Sequence, residues 1–205
     1  MIEVAGPEIR LNSETNFYVG GGLRFVRVST VLKEFGFVKE FGSDVDLARG
    51  HAVHYAVRLI EKGTLDWASV DELIEGRVRA YMKFKKETGF KSELSEVIVA
   101  NPIFHFAGQL DLYGPLFGHP SIIDIKSGPT PKFIRLQTGA YLSALRLTLN
   151  QNSYWAPRRY GLELRENGSY SLTDPFKGRE DENVFNGLAA AWWYKFNLGL
   201  TNVKS

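Results

Sequence analysis

Two short segments of this 205-residue chain leave little freedom in how they fold: Gly108–Gly114 (GQLDLYG) and Ser121–Gly128 (SIIDIKSG). Both are rich in branched and aromatic residues, and the stretch Gly114–Pro120 between them supplies a turn, so they read as two strands of a hairpin. Strand side chains alternate between faces. Phe104, Phe106, Leu110 and Leu112 are therefore expected on one face, with His105, Gln109 and Asp111 on the other. In the second strand Asp124 and Lys126 point the same way, about 7 Å apart, while Ile123 and Ile125 go to the opposite side. A hairpin then brings Asp111 beside Asp124 and Lys126.

That grouping has a chemical consequence. Two adjacent carboxylates resist being ionised together. A divalent cation between them removes the conflict and, beside a phosphodiester, polarises the phosphoryl oxygen and acidifies a bound water. A neighbouring lysine can hold that water or offset charge developing in the transition state. A lone Asp-x-Lys on a strand is nevertheless common, and an ordinary surface ion pair is its bland reading.

The rest of the chain reads as one mixed α/β unit over residues 1–205. Phe17–Val28 gives strand pieces around a turn at Gly20, Gly21 and Gly22; with no GK[ST] following, these glycines are not a phosphate loop. Ser29 is the expected N-cap of a short helix through Leu32. A longer helix starts at Ser43 or Asp44 and ends near Gly63, and a third runs from Ser69 or Asp71 to about Glu87, closed by Gly89. A helical portion at about 29–90 thus precedes a sheet core at about 92–165. Ser95–Ala100, Ile103–Tyr113 and Ser121–Ile125 are consecutive strands, followed by a helix from about Lys132 to Leu149. Strands near Ser153–Leu164 and Tyr170–Leu172 come next, then a helix from Asp181 to Leu198 whose apolar stripe is Phe185, Leu188, Ala189, Trp192 and Phe196.

Three further features favour chemistry at the hairpin. Glu96, one strand upstream, is a third carboxylate able to reach the same face. Gln137 and Tyr141, at i,i+4 on the following helix, lie on a stripe of small and apolar residues, where a buried amide needs a partner. The early helix carries RGHAVH; His54 is a candidate metal ligand one turn after Gly50, whose missing side chain permits close approach by another backbone. His51 is the alternative, and His105 and His119 have weaker claims.

Composition narrows the metal. The chain has no cysteine, which excludes thiolate zinc sites and cysteine-bound iron–sulfur clusters within it. Oxygen and imidazole ligands favour a hard cation, Mg2+ or Mn2+. Net charge is only +2. Between Arg77 and Lys91, however, six basic residues face one acid, Glu87. Arg77, Lys83 and Lys86 are the candidate nucleic-acid contacts there, with a solvated helix face as the competing reading.

Taken in order, Gly50–His54, Glu96, Gly108–Asp111, Ile123–Asp124–Ile125–Lys126 and Gln137–Tyr141 resemble the motif set of RecB-like PD-(D/E)XK nucleases, over about residues 27–145. VRVSTVL near the start resembles a helix entry of the compact phage and mitochondrial exonucleases in that group. The resemblance implies a restriction-endonuclease-like core, a central mixed sheet flanked by helices. It also implies metal-dependent phosphodiester cleavage. His54, Asp111, Asp124 and the main-chain carbonyl of Ile125 would ligate the metal, and Lys126 would position the attacking water. Glu96 would support the site, and Gln137 and Tyr141 would order its edge. The expected partner is DNA, as duplex ends or single strands, on which Phe104, Tyr113, Trp155 or Trp193 would stack unpaired bases. Relatives include both monomers and toroidal trimers, so the oligomeric state stays open.

The expected role is an exonuclease of recombination, repair or replication. An endonuclease on the same scaffold and a non-catalytic nucleic-acid-binding protein that keeps the fold are the alternatives. With no signal peptide and no apolar run near 20 residues, an intracellular setting is expected, a bacterial cytoplasm with a phage gene among the sources.

Overall fold

A computed structural model describes residues 8–38, 43–201 and 203. Its centre is an eight-stranded mixed sheet flanked by five α-helices. Three short strands open the chain: β1 (Arg10–Asn12), β2 (Phe17–Gly20) and β3 (Leu23–Arg27). Gly21 and Gly22 both take positive φ, 57° and 75°, and turn β2 into β3. The short helix α1 (Val28–Glu34) follows directly. Its N-cap is Arg27, without a side-chain cap bond, so Ser29 is not the expected cap but lies in the first turn.

The next two helices have the ends their sequence signals demand. α2 (Asp44–Lys62) opens with a reciprocal capping box between Ser43 and Asp46 and closes on Gly63 in the left-handed conformation. α3 (Glu72–Thr88) is capped by Asp71 and closed by Gly89. At Gly76 an added Cβ would lie 1.6 Å from the Glu166 carbonyl oxygen. Only glycine lets α3 lie this close to that turn.

The central strands are β4 (Leu94–Asn101), β5 (Phe106–Leu116) and β6 (His119–Lys126). After them come α4 (Ile134–Thr148), β7 (Arg158–Leu164), β8 (Tyr170–Leu172) and α5 (Glu180–Asn197). β5 pairs antiparallel with β4 and β6, and in parallel with β3 at Phe106 and Ala107. β6 and β7 run parallel, as a crossover through α4 requires. The strands before α1 thus belong to the sheet as well, which does not begin at residue 92.

Two apolar clusters sandwich the sheet. One joins α1, α4 and α5, through Leu32, Leu145 and Trp192, to Phe106, Leu110 and Ile122. The other joins α2 and α3, through Val57, Tyr81 and Phe84, to Leu112, Ile123 and Ile125. Here the simple alternation expected of β5 fails: Leu110 and Leu112 pack into different clusters. The same switch shows on β4, where Leu94 and Val97, three residues apart, pack into one cluster although strict alternation would put them on opposite faces; Val97 faces Leu110 and Ser95 faces Leu112. Between them Glu96 holds a positive φ of 54°, a conformation uncommon for a residue with a side chain. A left-handed residue within a strand breaks the two-residue repeat, and the reversal falls where the acidic residues meet.

Among the described residues no helix is long and apolar enough to cross a membrane.

Candidate metal centre

The ladder between β5 and β6 runs from Leu116↔His119 to Leu112↔Ile123. Beyond it β6 no longer bonds to β5 backbone in that register. The Ile125 N–H instead donates to Asp111 Oδ2 at 2.7 Å. A carboxylate thus takes over a ladder position, which fixes its orientation and leaves Oδ1 free to face outward. That oxygen lies 3.3 Å from His54 Nδ1, and Glu96 Oε1 lies 3.1 Å from the same nitrogen. Glu96 Oε2 accepts from the Gln109 amide at 2.5 Å.

His54, Glu96 and Asp111 offer ligand atoms all within 4.8 Å of one another, from α2, β4 and β5 respectively. Two carboxylates and an imidazole at this spacing are a donor set for a divalent cation, with oxygen dominance favouring Mg2+ or Mn2+. Without one, the imidazole serves as the counter-charge. Burial disfavours charged His54, but Asp111 and Glu96 outweigh it and hold its pKa well above the usual value. Burial likewise opposes ionisation of Asp111, yet His54, Lys126 and the Ile125 N–H pull its pKa below the ordinary range.

Asp124 stands apart from this trio. It is 1% exposed, and Oδ2 is 2.6 Å from Lys126 Nζ. The contact is an ion pair without hydrogen-bond alignment, since neither carboxylate oxygen finds a donor in bonding geometry among the described residues. Burial pushes its pKa up to about 6; Lys126 pulls against that and Asp111 adds to it. Lys126 Nζ also donates to Gln137 Oε1 at 3.2 Å, and the Gln137 amide donates to the Tyr141 hydroxyl at 2.9 Å. Asp124, Lys126, Gln137 and Tyr141 therefore form one connected row beside the trio. Gly108 makes room for it: an added Cβ would lie 2.7 Å from the Tyr141 ring and 3.1 Å from Val28.

The trio is open to solvent through a cleft of about 770 Å³, lined also by Lys126, Gln137 and Tyr141. Arg27 and Arg58 add positive charge to its walls, and Arg49 stands there paired with Asp46 at 2.6 Å.

The expected residues divide as follows. His54, Glu96 and Asp111 converge as possible ligands, so Glu96 sits with the trio and Asp124 pairs with Lys126. Ile125 lines the cleft, and the contact its backbone makes here is through N–H. Gly50 is not a point of tight approach, since an added Cβ would meet Ser127 Oγ at an ordinary 3.6 Å. Arg77 is a correction. It is buried on α3 and donates to the carbonyls of Ser127 and Leu73, with Glu166 beside it, so it braces the end of β6 and offers no exposed cation. Lys83 and Lys86 are exposed but lie outside the cleft lining. The aromatics expected to stack bases also lie outside it. Tyr113 packs against Trp155, and Trp193 donates to the His105 carbonyl and packs on Phe17. His51 lines the cleft, whereas His105 and His119 do not.

Several cleft residues, the three arginines and Tyr55, escaped the sequence reading, which sets Gln109 on the face of Asp111 without a role. For α2 a signal existed, because Leu47, His51, Tyr55 and Arg58 fall on the helical stripe shared with His54.

No family model matches the chain, and no curated protein matches it. Among solved structures it is similar to LHK-Exo in complex with dAMP, at 15% identity over 86% of this chain and 89% of that one, TM-score 0.40. It is also similar to an alkaline exonuclease (LHK-Exo) from Laribacter hongkongensis, at 14% identity over the same shares, TM-score 0.39. A likeness this distant carries no chemistry to this chain.

Proposed function

We propose that this chain is a divalent-metal-dependent DNA nuclease acting on DNA ends or single strands, an exonuclease of recombination, repair or replication. The observation that carries the reading is the convergence of His54, Glu96 and Asp111 on one open cleft that Lys126 also lines. Bound there, Mg2+ or Mn2+ supplies polarisation of a phosphoryl oxygen and acidification of a water. The chain's own residues do the rest. The Ile125 N–H holds Asp111 in one orientation. Asp124 and Gln137 pin the Lys126 ammonium at the cleft wall, where it orients an attacking water and offsets charge on the phosphorane-like transition state. Gln137 in turn is held by Tyr141. Arg27 and Arg58 meet phosphates along the cleft.

Incubating the purified protein with linear and covalently closed circular DNA, with Mg2+, Mn2+ or EDTA, tests this reading. Linear DNA is degraded only with metal, closed circles survive, and Lys126→Ala and Asp124→Asn each lose about 100-fold or more. Equal activity in wild type and both variants overturns the assignment; rapid cleavage of closed circles makes the enzyme an endonuclease.

A further inference from the structure

Apart from Arg58, the exposed face of α2 has no role in the chemistry above, yet it forms one wall of the same cleft. Leu47, His51 and Tyr55 follow one another at four-residue intervals, and Arg58 closes the row. Tyr55 is 61% exposed and Leu47 38%, although α2 buries Val53, Ala56 and Val57 on its other side. Single exposed apolar residues are ordinary on a protein surface. A leucine and a tyrosine in line with a histidine, beside the candidate metal centre and ending in an arginine with no acidic partner among the described residues, are a different matter. Tyr55 also adjoins His54 in sequence, so the row leads directly to the trio.

From this geometry we infer that the α2 row is a track for the bases of an unpaired DNA strand, stacked on Tyr55 and His51 with a phosphate held by Arg58. The inference rests on the nuclease reading and specifies its substrate as single-stranded. Aromatic faces accept any base, so such a track selects unpaired strands with little regard to sequence. The spacing fits. Residues four apart on a helix are offset by about 6 Å along its axis, wider than the 3.4 Å step between bases within one strand of a duplex. Successive bases can meet both rings only on a strand free to extend. A duplex also turns its base faces inward, where neither ring reaches them.

The test is equilibrium binding in EDTA, which needs no catalysis and therefore stands apart from the cleavage assay. Fluorescein-labelled 12-nucleotide single strands, the same length of abasic strand, and a blunt duplex are titrated with wild type, Tyr55→Phe, Tyr55→Ala and Arg58→Gln. Thermal midpoints confirm that each variant is folded. We expect Tyr55→Ala to weaken the base-bearing strand on the order of ten-fold, with Tyr55→Phe close to wild type and the abasic strand unchanged by either. Arg58→Gln weakens base-bearing and abasic strands alike and flattens the salt dependence. The inference fails if Tyr55→Ala affects both strands equally or neither, or if the duplex binds as tightly and is as sensitive to Tyr55. Binding with these signatures but no metal-dependent cleavage sinks the nuclease reading and leaves the track standing.

Discussion

Asp124 keeps a carboxyl group where burial opposes its charge, and that cost has a readable pH dependence. The native group retains its proton up to about pH 6, whereas its ordinary value is 3.8. Between those values the folded state binds more protons than the unfolded, so stability falls as pH rises and the penalty persists above pH 6. It amounts to about 1–3 kcal/mol. His54 acts in the same sense: held well above 6.5, its contribution is full below that value and lost as pH climbs through the native one. In EDTA, Asp124→Asn should therefore be more stable than wild type above pH 6, with the gap closing toward pH 4; urea midpoints across that range measure it. A variant less stable than wild type at pH 8 would mean that the Lys126 pair outweighs the burial. Gly108 gives a second prediction at this scale. Gly108→Ala drives a methyl into the Tyr141 ring and should cost about 1–3 kcal/mol, while slowing cleavage through the displaced Tyr141–Gln137–Lys126 row.

Among the elements, α4 carries the heaviest load, since one side faces the site and the other is tied to α5. Arg146, 7% exposed, pairs with Glu182, 3% exposed, and also donates to the Trp155 carbonyl. Arg159 of β7 reaches Asp181 at 2.8 Å. Removing Glu182 strands a buried guanidinium, so Glu182→Ala should cost about 3–5 kcal/mol in chemical denaturation. Sequence showed α5 as an apolar stripe, and Phe185, Ala189 and Trp192 are indeed buried. It did not show the acids at its start as ion-pair partners, because Asp181 and Glu182 look like ordinary first-turn residues favoured by the helix dipole. Only their contact with α4 and β7 gives them that role.

At the scale of the whole molecule, the trio joins three separately placed elements, α2, β4 and β5. A cation that binds it stabilises the fold as a unit. Mn2+ at a hundred times its Kd should add about 2.7 kcal/mol, visible as a rise in Tm that EDTA reverses and His54→Ala abolishes. Because the cation must displace a proton from His54, the rise should grow with pH. No shift at any pH would argue that the imidazole–carboxylate cluster is a structural ion pair.

The sequence alone determined the local grammar. Capping residues and left-handed glycines bounded α2 and α3, branched and aromatic residues around the Gly114–Pro120 turn marked the β5–β6 hairpin, and one aspartate on each of its strands raised the expectation of a cation site. These follow from interactions within a few residues, which pattern and composition record. Tertiary structure decided which groups meet. Glu96 reaches His54 through a left-handed turn of its own backbone, Asp124 stays outside the trio although its strand spacing already set it beside Lys126, and Arg77 leaves the basic face to brace β6. Such choices depend on desolvation and partner geometry across distant segments, and no spacing along the chain encodes them.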